Sequence, residues 1–99
     1  MLPKRFALTR NAEEKLKREK LRAGISPNIL ARELFFKSIE KNKKIEMPEK
    51  IDLGTMLLDK AVWLGDCQTV IEHWLNNSYP KKTAEEHAYL WALHVDSEL

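Results

Sequence analysis

The sequence predicts an all-α fold, a small helical domain with a short N-terminal extended segment and a first half that reads as strand, helix, turn and helix, assembling as a homo-oligomer. Three observations carry this reading. Residues 11–42 read as two helices joined by Gly24-Ile25-Ser26-Pro27-Asn28, a run of helix-stop and helix-start residues. Residues 67–95 hold two more segments whose apolar residues gather on one face. The second helix is apolar around most of its circumference and needs cover on most sides. The chain has 99 residues, 43% of them apolar, which makes a single domain over 1–99 with little core to spare.

In chain order, Pro3 and the alternation in "RFALT" give a short extended segment, with Phe6 and Leu8 on one face and Arg5, Ala7 and Thr9 on the other. Asn11 followed by Glu14 has the spacing of a capping box, and Thr9 is the alternative cap, so a first helix runs over 11–23. Ala12, Leu16 and Ala23 share an angle that Glu19 interrupts. Gly24 supplies a left-handed exit, Ser26 a cap for the next helix and Pro27 its first residue.

The second helix, 27–42, carries Ile29, Leu30, Leu34, Phe35, Phe36 and Ile39 around a polar stripe of Glu33, Lys37 and Glu40. A 99-residue protomer has few layers with which to cover it. These six apolar residues are therefore the expected oligomer interface. Residues 41–54, broken by Pro48 and Gly54, form a connecting loop, and 55–65 are ambiguous between strand and helix. Asp66 caps a third helix over 67–77, with Cys67, Val70, Ile71, Trp74 and Leu75 on one face. Thr83 and Glu86 form a capping box for a fourth over 84–95, whose apolar set is Ala88, Leu90, Trp91 and Val95.

Net charge is only +2, yet residues 1–50 hold fourteen Lys/Arg against seven Asp/Glu, and residues 51–99 hold three against eight. A basic half and an acidic helical half follow, the basic one suited to a polyanion. The single cysteine excludes an internal disulfide framework and suits a reducing compartment. With no signal peptide and no apolar run near the roughly 18 residues a bilayer demands, the expectation is a cytoplasmic protein with no membrane contact.

The inventory for chemistry is thin. No Gly-rich phosphate loop, His-Glu-x-x-His or Cys-x-x-Cys pair occurs, so no cofactor, metal or catalytic residue is expected. Cys67 reads as a structural cysteine. His87 and His94, seven apart, are too distant to bind one metal unaided and read as histidines at a polar boundary. Trp63, Trp74 and Trp91 read as core. Glu13 with Lys17 and Glu14 with Arg18 are helix-stabilising pairs worth about 0.2–0.5 kcal/mol each. What remains is the first helix, where Lys15, Arg18 and Arg22 follow one line and Lys17 and Lys20 the other flank. Arg5 and Arg10 precede it, and Lys41, Lys43 and Lys44 follow the second helix. These ten cations are the candidate DNA contacts, each phosphate contact adding about −0.9 to the salt slope of binding.

"RFALTRNAEEKLKREKLRAGISPNILARELFFKSIE", with the later "VWLGDCQTVIEHWL" and "AEEHAYLWAL", resembles the DndE family of the bacterial DNA sulfur-modification (phosphorothioation) system. The resemblance implies a small α-helical homotetramer that binds double-stranded DNA with a preference for nicked duplex, beside other sulfur-modification proteins that handle the sulfur. On the matching stretch it carries over to Lys15, Lys17, Arg18, Lys20 and Arg22, and to no catalytic set. "HAYLW" lacks the basic residue expected after the family's last-helix histidine. The first half also resembles a ribbon-helix-helix repressor or antitoxin, in which Arg5, Ala7 and Thr9 would face the bases. A third alternative is a protein-protein adaptor using the apolar helices and acidic half.

Overall fold

The N-terminal segment is not self-supporting, and its partner lies in the second half of the chain. In the computed structural model, which describes residues 2–99, β1 (Arg5–Phe6) pairs antiparallel with β2 (Leu58–Asp59), with Arg5 opposite Asp59 and Phe6 opposite Leu58. The pairing extends beyond the strands. Lys60 N–H donates to the Lys4 carbonyl at 2.8 Å, Gly54 N–H to Leu8 at 2.9 Å, and Arg10 N–H to Asp52 at 2.8 Å. Phe6 and Leu8 turn into the core as their alternation predicts, and the indole N–H of Trp63 donates to the Phe6 carbonyl at 2.7 Å. The ambiguous stretch 55–65 thus resolves into a bowed segment, β2 and a short helix, α3 (Lys60–Leu64).

Helix α1 (Arg10–Ala23) is capped by Thr9, whose hydroxyl accepts from Ala12 N–H at 3.1 Å. Asn11 lies inside the first turn, and its amide donates to Asp96 at 2.8 Å. The Asn11–Glu14 box therefore does not form. Gly24 closes the helix at φ 74°, its N–H donating to the Lys20 carbonyl, and Pro27 opens α2 (Pro27–Glu40). Ser26 occupies the cap position without a side-chain bond.

Helix α2 packs against α1, α3 and α5 (Ala84–Asp96), so its own chain covers most of its circumference. Phe35 is fully buried inside the protomer and offers no surface to a partner. Leu30, Leu34, Phe36 and Ile39 are half-buried against the core, and Ile29 alone of the six is largely exposed. Phe35 is thus withdrawn from the expected oligomer interface, and α2 does not need a partner chain to cover most of its sides. Close packing with the second half of the chain supplies the missing layers.

After a 3-10 turn over Gly65–Cys67, α4 (Gln68–Ser78) begins without a side-chain cap, so Asp66 does not play that part. Ile71 and Leu75 are buried, Trp74 and Cys67 half-buried, and Val70 faces outward. Thr83 and Glu86 form the expected reciprocal cap on α5, with bonds of 2.9 and 3.1 Å. Trp63 and Trp91 are fully buried, their ring centroids 5.1 Å apart.

His87 and His94 are in the core, not at a polar boundary. The Ile45 N–H donates to the Tyr79 hydroxyl, which lies 2.7 Å from His94 Nε2. His94 Nδ1 faces Ser38 Oγ at 2.7 Å, and the chain continues through Ser97 Oγ, which donates to the His94 carbonyl. Burial, with a smaller contribution from the charge of Lys43, pushes His94 down from 6.5 to about 4.

This packing makes stability depend on pH through His94. Between a folded value near 4 and an unfolded 6.5, the unfolded chain binds the extra proton, so stability is complete above pH 6.5 and falls as pH drops. Urea denaturation should show lower stability at pH 4 than at pH 7, and a His94→Gln variant that still folds should lose less stability over this range than the unmutated protein. A Cβ on Gly54 would collide with the buried Glu13 carboxylate, so Gly54→Ala should lower stability by about 1–3 kcal/mol. Gly24→Ala meets open space and should cost only the left-handed strain, about 1–2 kcal/mol.

Candidate nucleic-acid interface

The first turns of α1 are fixed on three sides. Thr9 Oγ1 donates to Asp96 at 3.0 Å, Ala12 and Leu16 enter the core, and the buried Glu13 carboxylate accepts from Met56 N–H at 2.6 Å and from Lys17 at 3.4 Å. Leu16 is the last residue of α1 that is buried. The remaining two turns, from Lys17 to Ala23, therefore project beyond the core as a solvated ridge.

The ten candidate cations divide by what faces them. Arg5 bonds Asp59 at 2.8 Å and Arg10 bonds Asp52 at 3.2 Å, and this pairing holds the Arg10 guanidinium above its ordinary pKa. Lys17 reaches Glu13, and Arg22 binds Glu19 through two contacts of 3.0 and 2.7 Å that lower the Glu19 carboxyl. Lys41 bonds Glu98 at 2.8 Å, Lys43 bonds the same carboxylate and the Ser97 carbonyl, and both lysines hold Glu98 below the usual carboxylate range. Lys44 lies 5.9 Å from the centroid of the Tyr79 ring. Among the described residues, Lys15, Arg18 and Lys20 alone of the ten have no carboxylate or aromatic partner. Glu14 and Arg18 do not form the expected pair; Glu19 and Arg22 form one instead.

Exposed ion pairs are worth about 0–1 kcal/mol, so a phosphate can displace the carboxylate from Arg22 at little cost. Lys43 is more firmly committed, because a backbone carbonyl and the Ser97 hydroxyl also hold it. The geometry thus concentrates available positive charge on the outer part of α1. It does not spread that charge over the whole first half.

The face proposed to read bases is absent. Ala7 and Thr9 are buried, Thr9 is committed to capping, and Arg5 is tied to Asp59. Sequence reasoning also missed an apolar corner beside the ridge: Leu21 is 89%, Ile25 39%, Ile29 45% and Val62 43% exposed. Val62 belongs to this corner because its carbonyl accepts from Asn28 at 3.1 Å. The signal for it was available in the apolar residues flanking Gly24, which spacing arguments assign to no helix face.

Of the histidines, His87 bonds the Tyr79 carbonyl, His73 bonds Asn77, and His94 is enclosed by Ser38 and Tyr79, so this Ser-His-Tyr set meets no substrate-sized space. Among the described residues, no three His, Cys, Asp or Glu side chains converge to hold a metal ion, and no helix is long and apolar enough to cross a membrane.

A family model described as "DNA sulphur modification protein DndE" matches residues 5–98. The crystal structure of DndE from Escherichia coli B7A, involved in DNA phosphorothioation modification, is similar over 99% of this chain and 95% of its own, with 41% identity and a TM-score of 0.89. A glycine-to-lysine double mutant of DndE, involved in DNA phosphorothioation, aligns over 98% of this chain and 93% of its own at 40% identity and a TM-score of 0.82. No curated protein sequence matches. The family match over nearly the whole length, together with the shared fold at this identity, places the chain in the DndE family of DNA sulfur-modification proteins.

Proposed function

We propose that this protein is a non-catalytic DNA-binding subunit of the phosphorothioation machinery, working in the cytoplasm beside the proteins that mobilise sulfur. It engages duplex DNA, nicked duplex included, through phosphates. The observation that carries the reading is the exposed side of α1, where Arg18 and Lys20 on the projecting turns and Lys15 just before them stand without carboxylate partners in a chain of this family. Contacts of this kind neutralise phosphates without reading sequence. A nick adds flexibility at which a rigid, basic ridge can meet phosphates from both flanking segments.

We also propose assembly as a homotetramer. The apolar corner of Leu21, Ile25, Ile29 and Val62 supports self-association, and it replaces the buried face of α2 as the surface for it. Placed next to the ridge, such a contact would bring the cations of several protomers together.

Two measurements test these readings. Titrations of intact and singly nicked duplexes of unrelated sequence, repeated across salt, should show sequence-independent binding that is tighter for the nick. A Lys15→Ala/Arg18→Ala/Lys20→Ala variant should reduce the log–log salt slope by about 2.7 per protomer engaged, whereas Lys43→Ala should change it by well under 1. A single strongly preferred sequence, or an unchanged slope in the triple variant, would sink the reading. Light scattering at micromolar concentration should give four times the protomer mass, and Ile29→Asp should shift it to a smaller species; a monomer in the unmutated protein would refute the assembly.

A further inference from the structure

The antiparallel ladder has a gap at Ala7. Phe6 pairs with Leu58 while Leu8 accepts from Gly54, so residues 55–57 bow outward opposite a single residue of the first strand. Alternation along the ladder turns the Ala7 N–H and C=O away from Leu58. Neither group has a hydrogen-bond partner among the described residues, although Ala7 is only 6% exposed. Buried peptide groups are nearly always paired.

Beside this gap lies a cavity of about 410 Å³ walled by Pro3, Phe6, Ala7, Leu53, Leu57 and Ala88. A smaller cavity of about 220 Å³ shares Leu53 and Tyr89 with it. Leu57 stands 63% exposed at the rim. Glu85 lines the larger cavity and Glu49 the smaller, and neither carboxylate has a cationic partner among the described residues, while the charge of Arg5 is met by Asp59.

We propose that this groove docks an extended peptide segment of another protein, one with a bulky apolar side chain flanked by lysine or arginine. The segment's backbone pairs with Ala7 in the manner of strand addition, its apolar side chain fills the larger cavity, and its cations meet Glu85 and Glu49. The apolar walls alone would accept many occupants. The unpaired peptide groups select an extended backbone, and the uncompensated carboxylates select basic flanks. None of these residues belongs to the α1 ridge, so the groove and the DNA surface are separable.

The test is a nitrogen-15 NMR titration of the full chain with the blocked pentapeptide Lys-Val-Leu-Val-Lys, its Glu-Val-Leu-Val-Glu counterpart, and the lysine peptide N-methylated at leucine. The lysine peptide should produce saturable shifts at the amides of Ala7, Leu53, Leu57 and Tyr89. The glutamate and N-methylated peptides should bind at least about tenfold more weakly. Leu57→Gln and Glu85→Gln, both on the surface, should each weaken the lysine peptide about three- to tenfold and leave duplex binding unchanged. Equal binding of the three peptides, no saturable shift at millimolar peptide, or groove shifts that follow protein concentration alone and so mark a second copy there, would each overturn the proposal.

Discussion

Everything distal in this molecule hangs on the clasp between residues 4–10 and 52–60. Backbone bonds at Lys4, Leu8 and Arg10 fix the N-terminal segment along the later one, and the Phe6 carbonyl serves both strand and Trp63. That places Thr9 where it caps α1 and reaches Asp96, and it brings Gly54 so close to α1 that the Glu13 carboxylate occupies the space a Cβ would need. The direction in which α1 leaves the core is thereby set from its first turn. The edge of the N-terminal segment that faces residues 52–60 is thus paired within its own chain.

The clasp has an electrostatic consequence. Along the sequence the two halves differ by twelve charges, +7 against −5, yet folding lays them on each other. Asp59, Asp52 and Glu98 from the acidic half meet Arg5, Arg10, Lys41 and Lys43 from the basic half. The two turns of α1 beyond Leu16 lie outside the reach of those carboxylates. A diffuse charge asymmetry in the sequence becomes one projecting ridge in the structure.

Local signals in the sequence were legible. The Gly24–Pro27 joint, the Thr83–Glu86 cap and the four long helices follow from rules that act over three or four residues, and the structure places them within a residue or two of those expectations. Contacts between distant residues were not. Nothing near His94 announces Ser38, 56 residues earlier, so a histidine on a helix reads as a boundary residue until the core closes around it. Thr9 rather than Asn11 caps α1, and the Asn11 amide donates to Asp96, 85 residues away. The cations were legible as a set, but the pairing of Arg5, Arg10, Lys41 and Lys43 depended on carboxylates from 42 to 57 positions away. The β2 strand was hidden because two residues carry no periodicity.

The central claim is that folding leaves the outer part of α1 as the phosphate-facing surface while the lysines after α2 are occupied internally. The most direct test is a lysine-acetylation footprint of the protein with and without nicked duplex at low salt. The account predicts that DNA protects Lys15 and Lys20 strongly and leaves Lys41 and Lys43 at their DNA-free reactivity. Protection of Lys41 and Lys43 with Lys15 and Lys20 still reactive would contradict it.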